Sequence, residues 1–360
     1  MNNYEGYLFK ILFLTSVFLL IVASISYIYD PAGIYHNSFK KHNSPSMYAD
    51  RLLKSRNGLL WPEYSWNRRD VKKILAKKSN NIDCAIIGSS HVYQVSSVRK
   101  NKSLTNICES ITNLGVDGGT FEDFLALSYE LINKKQKPNT IVFGITPWAL
   151  DFYRDKRWGR YGDSYYSMKE ILTENKIEQN SKDVFDWSYL VNLINPLYFL
   201  QSIEQVGKKE LKINEAPVFE HSIGLDTLVM LADGSIISRS KSITNSKTTR
   251  IPVGGTVYKI RPGSVYSEVA IALFTKLVRK LNESGINTVI LMTPYHHNVW
   301  LNNNPTKKVL LEVEARIRKL GSVLGIDVLG SYNPEKNGCS PDEFFDHMHA
   351  KDSCLSKIAN

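Results

Sequence analysis

Asp83-Cys84-Ala85-Ile86-Ile87-Gly88-Ser89-Ser90-His91 decides how the rest of the chain is read. A short apolar run from Cys84 to Ile87 stops at a glycine and a pair of serines. Such a run before small residues reads as a buried strand entering a tight turn. A serine on that turn stands at the strand's carboxyl end, the edge where ligands bind in open α/β sheets. Two readings follow. In one, Gly88 gives the turn and Ser89 or Ser90 caps the next helix, a common use of serine. In the other, a serine is held out as a nucleophile.

Phe344-Phe345-Asp346-His347-Met348-His349, near the other end, bears on that choice. Asp346 and His349 are three apart, so both fit on one short turn. A carboxylate so placed orients an imidazole and stabilises its charged form. With a serine from another loop they compose a nucleophile, base and orienter. Taken singly, Asp346 also reads as a helix N-cap and His349 as an exposed polar residue.

The intervening sequence alternates strands and helices. Ile82 to Ile87 reads as the first strand. Leu104 to Cys108, with β-branched Thr105 and Ile107, reads as the second. The loop from Asn113 to Gly119 is rich in glycine, which suits close backbone approach. Thr120 with Asp123 makes a capping-box start to a helix running to about Lys135. Asn139 to Ile145 is the third strand. After an interruption, Val265 to Glu283 reads as a helix with Val269, Leu273, Leu277 and Leu281 on one face, ended by Gly285. Ile286 to Met292 is a strand, Thr306 to Leu320 a helix, and Ile326 to Leu329 a strand. This rhythm predicts an α/β fold, a parallel sheet with helices on both faces. His296 and His297 follow the Ile286–Met292 strand at its carboxyl end. Such a pair suits binding of metal or substrate, but adjacent side chains point different ways, which argues against a shared metal.

Three blocks in this order resemble the SGNH, or GDSL-like, hydrolase superfamily. Gly88-Ser89-Ser90 is similar to its first block, with serine in place of the usual aspartate. Asn113-Leu114-Gly115-Val116-Asp117-Gly118-Gly119-Thr120 is similar to the second, an N-x-G-x-x-G-x-T run. Asp346-His347-Met348-His349 is similar to the last, D-x-x-H. The resemblance implies Ser90 as nucleophile, His349 as base and Asp346 as orienter. It also implies an oxyanion hole from the backbone N–H groups of Ser90 and Gly118. Within the superfamily the chain looks most like the membrane-anchored branch, which includes the D-alanyl transfer protein of teichoic acids and the alginate O-acetylation proteins. Thr146-Pro147-Trp148 loosely resembles a Ser-Pro-Gln-Trp run of the former, without the glutamine. That branch implies O-acyl transfer to, or deacylation of, an envelope polysaccharide. It implies a domain outside the cytoplasm and a membrane-embedded partner that delivers the acyl group. A free esterase or lipase, or a glycan-binding scaffold without turnover, are the alternatives. One departure stands out. The superfamily's third block supplies an asparagine to the oxyanion hole, and Phe143-Gly144-Ile145-Thr146 has none. A third donor is therefore unidentified.

The chain has 360 residues and a formal net charge of +10. A basic surface suits nucleic acid, anionic lipid or acidic polysaccharide. The N-terminus chooses among them. Ile11 to Ile28 carries no charge and lies between Lys10 and Asp30. A membrane span needs about 20 apolar residues. Tyr4, Tyr7, Tyr27 and Tyr29 sit where interfacial aromatics occur. Residues 1–29 therefore read as an anchor, with a cleaved signal peptide ending near Ala23 and Ser24, and a buried globular helix, as the alternatives. Nucleic acid is not an expected partner. Residues 30–80 read as a basic juxtamembrane arm. Most of its lysines and arginines are expected on a solvated helix face, and some against lipid headgroups or an anionic glycan. Residues 81–360 read as the SGNH-like domain, interrupted at 150–262 by an aromatic-rich insertion. Trp158, Tyr161, Tyr165, Tyr166, Trp187, Tyr189 and Tyr198 are expected to serve mainly as core, with stacking on sugar rings as the alternative, and Asp233-Gly234 marks a hairpin. Of the four cysteines, Cys339 and Cys354 bracket the Asp346–His349 turn and are expected to form a disulfide. Cys84 and Cys108 are expected as buried thiols. No metal-binding spacing, phosphate loop or nucleotide fingerprint is present, so no cofactor is expected.

Overall fold

The computed structural model describes residues 3–29, 45–62, 68–150, 163–174, 191, 193–203, 213–217, 225–239, 267–301 and 304–358. In chain order, helix α1 spans Asn3–Tyr29, α2 Pro45–Leu52 and strand β1 Leu59–Leu60. Helix α3 is Arg68–Lys78, β2 Cys84–Gly88, β3 Ile111–Asn113, α4 Phe121–Ile132 and β4 Thr140–Gly144. Helix α5 is Asp163–Thr173, α6 Pro196–Ile203, β5 Val229–Met230, β6 Ile236–Ile237 and α7 Glu268–Glu283. Strand β7 is Asn287–Met292, α8 Pro305–Leu324, β8 Asp327–Gly330 and α9 Asp352–Leu355. The chain divides into two compact units. The first holds α1 and α6; the second holds both sheets and the helices around them.

In the second unit, five parallel strands run in the order β3-β2-β4-β7-β8. Residues 84–88, 141–144 and 290–292 are buried throughout, as strands of a covered parallel sheet must be. Alternate side chains face opposite ways. Phe143 faces one side, with the rings of Phe124 on α4 and Phe274 on α7 at 5.1 and 5.4 Å. Cys84, Ile86, Val142 and Leu291 face the other side. There they pack with Val92, Leu104, Cys108, Phe344, Cys354 and Ile358. Two helices thus meet the first face, while turns and the C-terminal segment fill much of the second.

That second layer is where the sequence misleads. Leu104 to Cys108 forms turns, and the edge strand is Ile111–Asn113, paired in parallel with β2. Cys84 and Cys108 are bonded to each other rather than being free thiols. A disulfide explains both errors. It holds residues 104–108 against β2 by a covalent link, so a β-branched stretch there needs no ladder. The expected Cys339–Cys354 bond is present, with Cα atoms 5.1 Å apart. It closes the loop that carries Asp346 and His349, and such a loop is worth roughly 3 kcal/mol in chain entropy.

Residues 48–61 and 68–78 belong to the same unit as the sheet. Leu59–Leu60 pairs antiparallel with Val229–Met230, which pairs with Ile236–Ile237 across the Asp233-Gly234 turn. The reading of a solvated basic face fails at two positions. Arg69 is 2% exposed and Lys72 is fully buried. Arg69 forks onto Asp123 at 2.7 and 2.9 Å. Lys72 donates to the carbonyls of Asn113 at 2.7 Å and Gly234 at 2.5 Å. Burial lowers its pKa to about 7, against the opposing pull of Asp233. Among the aromatics of the insertion, Tyr165 and Tyr198 are buried and Tyr166 is half-buried. Trp158, Tyr161, Trp187 and Tyr189 lie outside the described residues.

Candidate active site

Parallel pairing sets the level of the site. Gly88 pairs with Gly144, Gly144 with Leu291, and Leu291 with Leu329. Two residues past that row come Ser90, Thr146, Thr293 and Ser331, a line of hydroxyls at the carboxyl edge of the sheet. After Gly88 the chain turns into a single 3₁₀ turn, Ser90–Val92. The two serines divide the work. The Ser89 side chain accepts the His91 N–H at 3.4 Å and caps the turn. The capping reading thus holds for Ser89, and Ser90 is left with its hydroxyl turned to His349.

Ser90 Oγ lies 2.9 Å from His349 Nε2. His349 Nδ1 lies 2.8 Å from Asp346 Oδ2. Asp346 Oδ1 accepts the backbone N–H groups of Met348 and His349 at 2.7 and 2.8 Å. These bonds are why Asp346 and His349 hold a fixed relation: the carboxylate caps the backbone of the turn that carries the imidazole. Burial would raise the Asp346 pKa, but the His349 hydrogen bond and charge and the two N–H donors outweigh it. The carboxylate is held well below its usual range. The three residues singled out as a triad therefore converge from opposite ends of the chain.

The glycine loop lies against the serine turn. A Cβ on Gly119 would stand 2.5 Å from the Gly88 carbonyl oxygen and 3.0 Å from Ser89 Cα, so only glycine allows this approach. Asn113 is fully buried and organises the contact. Its amide donates to the carbonyls of Val92 and Val95 at 2.6 and 2.8 Å and accepts the Gly115 N–H at 2.9 Å. Gly118, the other expected oxyanion donor, adopts a left-handed φ of +54°. The Asp117 carbonyl before it accepts Arg69 Nη2 at 3.1 Å.

One residue of the site was not expected. His91 follows Ser90 and is 2% exposed. Its ring packs against His349, Tyr295 and Trp148, with centroids 5.1, 5.3 and 5.4 Å away. Nδ1 lies 3.4 Å from the Thr293 hydroxyl. Nε2 is buried without a hydrogen-bond partner among the described residues. Burial, reinforced by the charge of His349, lowers its pKa to about 3, so the ring is neutral. Its sequence signal was adjacency to Ser90, which by itself says nothing of burial.

His296 and His297 do not join the triad. His296 is buried against Phe344 and its Nδ1 accepts the Asn298 N–H at 3.1 Å. Burial, with neighbouring His297, lowers its pKa to about 4. Among the described residues no group of three or more His, Cys, Asp or Glu is arranged to hold a metal ion. No family model and no curated protein matches this chain.

Proposed function

We propose that the second unit is a serine-dependent acyl-transfer enzyme of SGNH type. The observation that carries this reading is the unbroken chain of contacts from Ser90 through His349 to Asp346. In the proposed cycle Ser90 Oγ attacks an acyl carbonyl carbon and His349 Nε2 takes the hydroxyl proton. The proton passes to the departing oxygen, leaving an acyl-serine. An acceptor hydroxyl, or water, then attacks that ester and gives its proton to His349, and Ser90 is restored. Asp346 holds the ring in the tautomer this requires.

Oxyanion stabilisation is assigned to the backbone N–H groups of Ser90 and Gly118, with His91 Nε2–H as third donor. This role requires the Thr293 hydroxyl to donate to Nδ1, which leaves the proton on Nε2. A buried donor without a partner costs about 1–3 kcal/mol, and a substrate oxygen would relieve that cost. His91→Phe keeps the ring packing and removes the donor. It is expected to lower kcat on an aryl acetate about 100-fold or more while leaving KM near its original value. An unchanged kcat would remove His91 from the hole.

The acceptor is read as an envelope polysaccharide and the reaction as O-acyl transfer, most simply of acetyl, from a membrane-embedded donor protein. Two features support a membrane-anchored domain on the outer side. Residues Glu5–Tyr29 form a helix long and apolar enough to cross a membrane. All four cysteines are paired, as suits an oxidising compartment. The test is a serine-directed fluorophosphonate, followed by acyl release measured with and without oligosaccharide. Labelling with acceptor-dependent release supports a transferase. Labelling with release to water alone leaves an esterase. Absence of labelling would leave only the scaffold reading.

A further inference from the structure

Helices α1 and α6 pack together in the first unit. The buried positions of α1 are Val22 and Ser26, at 6% and 0% exposure, four apart and so on one face. Those of α6 are Tyr198 and Ser202, again four apart, at 8% and 0%. Small serines at both positions allow the close approach seen between helices in lipid. The contact falls in the last two turns of α1, at the carboxyl end of its apolar run.

The opposite side of α6 is apolar and uncovered. Leu197, Leu200 and Ile203 are 71%, 56% and 42% exposed. Val191 and Ile194, just before the helix, are also exposed, at 57% and 46%. No Asp, Glu, Lys or Arg occurs from Val191 to Ile203. Exposed apolar surface of this kind marks an interaction site. What covers it follows from continuity, because α1, against which α6 packs, is equally bare over most of its length: Phe18, Leu20 and Ile28 are 62%, 66% and 67% exposed. A helix of eight residues rises only about 12 Å, far short of a bilayer core, so α6 cannot span.

We propose that α6 and the residues just before it form a second lipid-contacting segment. It lies in the headgroup–acyl boundary beside the carboxyl end of α1, with Leu197, Leu200 and Ile203 turned into the leaflet. The inference rests on α1 being in the bilayer and not on the serine chemistry. It makes the middle of the chain a membrane contact in its own right.

The cysteines make the test clean. All four are in disulfides, so a single introduced cysteine is the one free thiol. Leu197→Cys and Leu200→Cys, in the full chain, are labelled with an environment-sensitive fluorophore and reconstituted into phosphatidylcholine–phosphatidylglycerol vesicles. Leu14→Cys on α1 and Val323→Cys on α8 are the lipid and water controls. The expected result is blue-shifted emission at 197 and 200 that nitroxide-labelled lipid quenches, as at 14, with no quenching at 323. Blue-shifted emission that the lipid nitroxide leaves intact would mean a protein covers the face, and would overturn the proposal. Water-like emission at both positions would do the same. Quenching at neither 14 nor 197 would remove α1 from the bilayer and the inference with it, leaving the serine assays untouched.

Discussion

Ser90→Ala and His349→Ala are each expected to cut turnover of an acyl ester by about 1,000-fold or more, and the double variant by little beyond either alone. The reason is geometric. In the proposed cycle the proton leaves the nucleophile across the 2.9 Å contact between Ser90 Oγ and His349 Nε2. Removing either partner removes the same step, so the losses do not add. Asp346→Asn should fall in the same range, because an amide beside Nδ1 favours the wrong tautomer. It should also loosen the turn, since Asp346 accepts two backbone N–H groups as well as the ring. Ser89→Ala is the matched control. Ser89 only caps the 3₁₀ turn, and losing a cap costs about 1 kcal/mol of stability. Steady-state kinetics on an aryl acetate, with thermal melting of each variant, separates the two serines. Full turnover in Ser90→Ala would end the covalent mechanism. Loss in Ser89→Ala alone would move the nucleophile by one residue.

The grouping of Ser90, His349 and Asp346 was legible because each of its parts is a local pattern. A strand that stops in small residues, and a carboxylate three before a histidine, are features of short windows. The main strands and long helices were legible for the same reason. Glu268–Glu283 and Asn287–Met292 lie within three residues of where periodicity places them. What escaped was set by contacts between distant parts of the chain. The edge strand at Ile111–Asn113 was missed because a disulfide, not a ladder, fixes Leu104 to Cys108. His91 escaped because its burial depends on Trp148 and Tyr295, far away in sequence. The missing third-block asparagine was visible as an absence. The buried imidazole proposed in its place was not visible, since a histidine after a serine looks the same whether it faces water or the core.

Arg69 and Lys72 are the sharpest case of the same limit, and Arg69 gives the largest stability effect expected outside the triad. In sequence it is one cation in a basic run. In the fold it is 2% exposed and paired with an Asp123 that is fully buried. Breaking a buried pair from one side strands the other charge, at a cost of about 3–5 kcal/mol. Arg69→Met is therefore expected to lower the midpoint of chemical denaturation steeply. Arg69→Met with Asp123→Leu should recover most of the loss. Recovery should stop short of complete by about 1 kcal/mol, because Asp123 also accepts the Thr120 N–H at 2.8 Å and caps α4. Activity of that double variant carries further information. Arg69 Nη2 holds the Asp117 carbonyl at 3.1 Å, and in a trans peptide the next N–H points the opposite way. Arg69 thereby sets the direction of the Gly118 N–H proposed for the oxyanion hole. A double variant that is folded and stable yet low in kcat, with KM little changed, would give Arg69 this positioning role. One with full kcat would reduce it to a structural ion pair and leave the Gly118 peptide held by its own loop.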